Sequence, residues 1–139
     1  MRILGLDVGE RRIGVALSDA LGLTAQGLAV LQRRSLQPDL DAICALVERH
    51  GVDTIVVGLP LTLRGEHGPQ AQRITSFAEA LRRRVSVPVE LVDERLTTVQ
   101  GERALLATGA SRRRRKQVID RVAAQLILQH FLDARHARS

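Results

Sequence analysis

Three acidic positions stand where acids are costly, and together they outline a chemistry. Asp7 interrupts the apolar run from Ile3 to Val8, and aspartate is disfavoured in strands. Period-two alternation puts Asp7 on one face with Ile3 and Gly5 and sets Leu4, Leu6 and Val8 on the other. A carboxylate inside such a strand is expensive to bury unless it is paired or coordinated. The ordinary alternative is an aspartate capping the turn that begins at Gly9. Asp120 is followed by Ala124, Ile127 and Phe131, a spacing that places it on the apolar stripe of a helix. An acid near a helix N-terminus, complementing the macrodipole, would show the same pattern. The third position is Glu94 or its neighbour Asp93, just past VPVELV, where an open α/β sheet places its ligand sites at strand C-terminal ends. The two face opposite ways, and alternation alone does not choose between them.

Oxygen-only ligands of this kind select Mg²⁺ or Mn²⁺ over zinc. Two such ions about 4 Å apart would activate a water and stabilise the leaving oxygen in phosphodiester cleavage. Nothing competes with that reading. His50, His67, His130 and His136 are scattered, and Cys44 stands alone on an apolar helical face, where core filling is expected of it. No glycine-rich Walker loop and no Ser/His/Asp spacing occurs. Arg112, Arg113, Arg114, Arg115 and Lys116 form an unbroken basic run before the last predicted helix. Five adjacent cations repel one another and oppose a helix dipole, and a phosphate backbone would relieve both penalties. Arg82–Arg84 read instead as an ordinary helix end, where cations are favourable.

The elements that must position these groups follow from periodicity. Ile3–Val8 and Arg12–Ser18 predict two strands around a tight turn, and Thr24–Leu31 predicts a third after a bend at Gly22. Leu40, Ile43, Cys44 and Val47 predict a helix opening at Pro38 and Asp39 and stopped by Gly51. Asp53–Gly58 reads as a strand buried on both faces. A breaker-rich loop over residues 59–69 precedes a helix over 70–84 and a strand over 87–92. Thr97 and Gln100 have capping-box spacing for a helix ending at Gly109. Residues 110–116 read as a basic linker, and a final helix covers 117–134. The order βββαβαβαα implies one α/β domain over residues 1–139. Its mixed five-stranded sheet has three antiparallel strands followed by parallel ones, with helices on both faces. A Rossmann domain is excluded, because it begins βαβ with its glycine fingerprint at the first turn.

Composition narrows the partner. The net charge of +6 sets 21 basic residues against 15 acidic ones, and of the basic residues only Lys116 is lysine. Arginine donates paired hydrogen bonds to phosphate, so a nucleic-acid partner is expected. With no Trp or Tyr and two Phe, recognition should go through backbone and shape rather than base stacking. The single cysteine excludes an intramolecular disulfide framework. No early segment reads as a leader and no apolar run approaches the length of a membrane span, so a cytoplasmic address is expected.

Four ordered blocks carry a resemblance over nearly the whole chain: GLDVGERRIGVALSD at 5–19, VVGLPLTLRGEHG at 56–68, VDERLTT at 92–98 and SRRRRKQVIDRVAAQLIL at 111–128. They resemble the YqgF family, whose members are described as precursor 16S ribosomal RNA nucleases and as Holliday-junction resolvase-like proteins. The resemblance implies an RNase H-like fold, Asp7, Glu94 and Asp120 as catalytic and metal-binding acids, and a cytoplasmic part in maturing the 5′ end of small-subunit ribosomal RNA. Arg95 of the DER block joins residues 112–116 as an expected nucleic-acid contact. Two departures stand out: Thr62 where the family commonly has Asn, and Gly101 inside the helix after DERLTT. The alternatives are a junction-resolving DNA nuclease and a non-catalytic RNA-binding assembly factor. An actin-like phosphate-binding hairpin is set aside, because one small domain cannot enclose a nucleotide as those two-domain ATPases do.

Overall fold

β1 (Arg2–Val8) is the centre of the molecule because nearly all of it is apolar and it can be covered on both faces. A computed structural model describes residues 1–60, 65–93 and 112–137, with backbone alone for 112–120. β2 (Arg12–Ser18) and β3 (Ala25–Gln32) follow as an antiparallel meander. α1 (Leu36–His50) leads to β4 (Val52–Leu59), and α2 (Pro69–Arg82) leads to β5 (Val89–Asp93). The sheet order is β3-β2-β1-β4-β5, with β1, β4 and β5 parallel. α3 (Arg112–Ala137) closes the described chain.

The expected mixed five-stranded sheet with helices on both faces is therefore what forms. Element ends differ for local reasons. α1 starts earlier than Pro38, with Ser35 extended as N-cap, because a proline within the first turn sacrifices no helical hydrogen bond. It stops where expected, at Gly51 in the left-handed conformation (φ 61°), whose N–H donates to the Val47 carbonyl. α2 begins on Pro69, which is pre-shaped for a first helical position. The largest correction concerns the basic run. Residues 112–116 are not a linker but the opening turns of α3, since arginine and lysine are good helix formers and their repulsion does not outweigh that preference. Cys44 is half-buried rather than a core residue. The helix expected over 97–109, with Gly101, lies outside the described residues.

Alternation on β1 divides the core in two. Leu4, Leu6 and Val8 pack with Leu40 and Ile43 of α1 and with Ile74, Phe77 and Leu81 of α2. Ile3 packs on the opposite face, with Ala16, Ala25 and Val56, against Ala124, Leu128 and Leu132 of α3. Arg82 and Arg84 do more than end a helix. Arg82 donates to the Val89 carbonyl at 3.0 and 2.7 Å, and Arg84 bonds Gln37 and Asp41 of α1. The hydrogen bond that Arg84 donates to Asp41 holds the Arg84 guanidinium pKa above its usual value.

The α3 face is set by the missing side chain at Gly5. A Cβ built there would lie 2.8 Å from the Leu128 Cβ and 3.3 Å from the Ala124 carbonyl oxygen, so helix and sheet could not keep their present spacing. Gly5→Ala is expected to destabilise the fold by about 1–3 kcal/mol, through overpacking. Urea denaturation would measure it, and an unchanged midpoint would contradict this packing.

Candidate active site

Asp7 lies on the α3 face of the sheet and is buried, with 8% of its surface exposed. It is not a turn residue. It pairs with Gly14 inside the β1–β2 ladder, and the turn beyond is closed by main chain, with the Gly9 N–H donating to the Arg12 carbonyl at 2.8 Å. On the other side, the β1–β4 register reaches Leu6 opposite Val57. One further step sets Asp7 beside Gly58, which pairs with Val92. Glycines thus flank Asp7 on both neighbouring strands, and neither adds a side chain to the face that carries the carboxylate.

The direction of α3 brings its earlier turns to this end of the sheet. Gly22 meets His136, Ala25 is bonded by Gln129 and Gln125, and Gly27 lies against Arg121. Advancing along β3 therefore retraces α3 toward its start. β1 runs parallel to β3, since both are antiparallel to β2. Moving from Gly5, packed on Leu128 and Ala124, to Asp7 leads toward position 120, one helical turn before Ala124. Asp120 thus stands on the stripe of Ala124, Leu128 and Leu132 and at the Asp7 end. The backbone at 112–116 continues from there to the start of the helix.

β5 resolves the ambiguity between the adjacent acids in part. Val89 and Leu91 pack on the α1–α2 face, whereas Val92 packs on the α3 face. By alternation Asp93, which pairs with Leu59, belongs to the face opposite Asp7. Glu94 and Arg95 lie outside the described residues, as does Thr62. Among the described residues, no group of three His, Cys, Asp or Glu side chains could hold a metal ion.

The opposite face carries a feature that the acid pattern did not reveal. Arg33 donates through Nε to Asp39 at 3.1 Å and through Nη1 to the Gly9 carbonyl at 2.8 Å. Its guanidinium also lies over the Phe77 ring, 5.2 Å from the centroid. Asp39, 5% exposed, accepts in addition the Arg34 N–H at 3.0 Å. One ionic group therefore ties the turn after Asp7 to α1 and α2. A cleft of about 920 Å³ opens beside it, lined by Val8, Gly9, Arg34, Gln72 and Arg73 among others.

A sequence profile described as RuvX, Holliday junction resolvase, matches residues 1–134. The chain belongs to the RuvX family. As a member it is a nuclease, a hydrolase of phosphodiester bonds. Among curated relatives, a protein of Moorella thermoacetica is 57% identical across 96% of this chain and 95% of its own length. One from Symbiobacterium thermophilum is 53% identical, with 99% and 96% covered. Both are named as candidate precursor 16S rRNA nucleases. This RuvX chain also superposes on Thermus thermophilus RuvC in complex with Holliday junction substrate. The TM-score there is 0.61 at 16% identity, with 100% and 98% of the chains covered. The fowlpox virus Holliday junction resolvase gives 0.52 at 14% identity, with both chains fully covered. These likenesses establish the RuvC-like RNase H fold.

The signal for Arg33 and Asp39 was faint: an arginine pair just ahead of a helix start, with an acid in the first turn. In the RuvX chain, removing Asp39 would leave Arg33 and the Arg34 N–H without their acceptor. Breaking a fully buried pair costs about 3–5 kcal/mol. Arg33 keeps 27% exposure, so Asp39→Ala is expected to cost nearer about 2 kcal/mol. Chemical denaturation checks it, and a loss under about 0.5 kcal/mol, the surface level, would contradict it.

Proposed function

We propose that this protein hydrolyses the backbone of precursor 16S ribosomal RNA at its 5′ end, with Asp7, Glu94 and Asp120 holding Mg²⁺ or Mn²⁺. The observation that carries the reading is the buried Asp7 carboxylate between two glycines, level with position 120 of α3. A carboxylate fixed on a buried strand offers the oxygen donors that a hard divalent cation takes.

The residues fit a hard cation. Asp7 offers oxygen donors on a face left open by Gly14 and Gly58. Position 120 approaches from the helix, and Glu94 is the acid of the DER block that strand parity leaves available. When bound, divalent ions would polarise the attacking water and neutralise the leaving oxygen. The chain's own part is to fix Asp7 on the most buried strand and to keep bulky side chains away from it. Arg95 and residues 112–116 supply cations for phosphates flanking the scissile bond. The relatives' names support RNA as the substrate, and work on precursor ribosomal RNA would place the protein in the cytoplasm. The family description favours one second reading, resolution of four-way DNA junctions.

Wild type and Asp7→Asn should be compared on precursor 16S RNA and on four-way junctions, with Mg²⁺ and with chelator. Wild type is expected to cut the RNA only with metal, and Asp7→Asn to lose at least about 100-fold while keeping its fold. Equal rates for the two proteins would overturn the site. Cleavage of junctions alone would select the second reading.

A further inference from the structure

The cleft on the α1–α2 face is not part of the acid site. It begins where Asp7's strand ends, because Val8 and Gly9 line it. A polymer lying on Asp7 and crossing the β1–β2 turn would pass directly into it. We propose that this cleft binds the phosphodiester backbone of the strand on its way to or from Asp7, through Arg34 and Arg73. The inference rests on the nuclease reading above.

The charges inside the cleft divide clearly. Arg33 and Asp39 neutralise each other and hold the Gly9 turn, so they are structural. Arg34 is exposed, and among the described residues its guanidinium has no ion pair or hydrogen bond. Among the described residues Arg73 is paired only with Glu10, at 3.0 Å, and those side chains are 64% and 77% exposed. An ion pair so exposed contributes little, so Arg73 can exchange Glu10 for a phosphate oxygen at small cost. Gln70, Gln72 and Ser76 add neutral hydrogen-bonding groups. Among the described residues no aromatic side chain lines the cleft, which leaves base stacking without a platform there. What remains is arginine and amide chemistry suited to phosphate oxygens. With a volume near 920 Å³, the cleft has room for a strand rather than for a single ion.

Glu10 gives the inference an unusual sign. If Arg73 serves phosphate, Glu10 competes with the ligand, and removing its charge should strengthen binding. A merely solvated groove predicts no such gain.

The test uses the full chain with labelled single-stranded RNA and DNA of the same sequence, with Ca²⁺ in place of Mg²⁺ to hold back cleavage. Arg34→Gln combined with Arg73→Gln is expected to weaken binding of both strands by about tenfold. The slope of log Kd against log salt should fall by about 1.4, the value for two phosphate contacts on a single strand. In Mg²⁺, KM should rise with kcat unchanged, and Glu10→Gln should lower Kd. All these positions are exposed, so melting temperatures should match wild type. Unchanged Kd and salt slope in a double variant whose wild type binds and cuts would overturn the cleft alone. A loss confined to RNA or to DNA would overturn phosphate as the ligand class. A wild type that neither binds nor cuts would overturn the nuclease reading, and this inference with it.

Discussion

The close seating of α3 on the sheet is the constraint from which the site follows. Gly5 leaves no room for even a methyl group against Leu128 and the Ala124 carbonyl, and Ala16 opposite Gly5 keeps the neighbouring strand equally low. Interiors pack densely enough that such a contact fixes height and register together. With the helix held there and running against β1, its earlier turns have one place to go: over the C-terminal end of β1, where Asp7 stands. A helix seated a few ångströms higher would leave the carboxylate and position 120 on separate surfaces.

Around that contact, the buried acid and the arginine-lined cleft lie on opposite faces of the sheet. The acid lies on the α3 face, inside the fold. The arginine-lined cleft lies on the α1–α2 face, and the β1–β2 turn between them is clamped by Arg33. A nuclease needs both kinds of charge, negative to hold metal and positive to hold phosphate. Gly9 and Glu10 lie at the turn between the two faces.

Much of this was legible in the sequence because it rests on strong local rules. Asp7 was visible as a charge inside an apolar run, and alternation assigned its face correctly. Gly51 ended its helix as expected, and the β1–β2 hairpin needed only its glycine and its flanking runs. The start of α3 was not legible, because repulsion among five cations argued for a linker while helix propensity argued the other way, and propensity prevailed. The Arg33–Asp39 clamp and the cleft were hidden for a different reason. Their members are brought together by tertiary packing from three separate segments, and no spacing records that. Parity on β5 shows how the levels combine, since the structure gives the face of Asp93 where alternation alone could only say that Asp93 and Glu94 differ.

Metal-linked stability tests the central claim most directly, because it does not depend on knowing the substrate. If Asp7 is buried to hold a divalent cation, Mn²⁺ or Mg²⁺ should raise the melting temperature of wild type. The gain should follow saturation and reach about 2.7 kcal/mol at a hundredfold excess over Kd. Asp7→Asn should show no such gain. The same metal-dependent shift in both proteins, or a variant that unfolds without metal while wild type ignores it, would contradict the account.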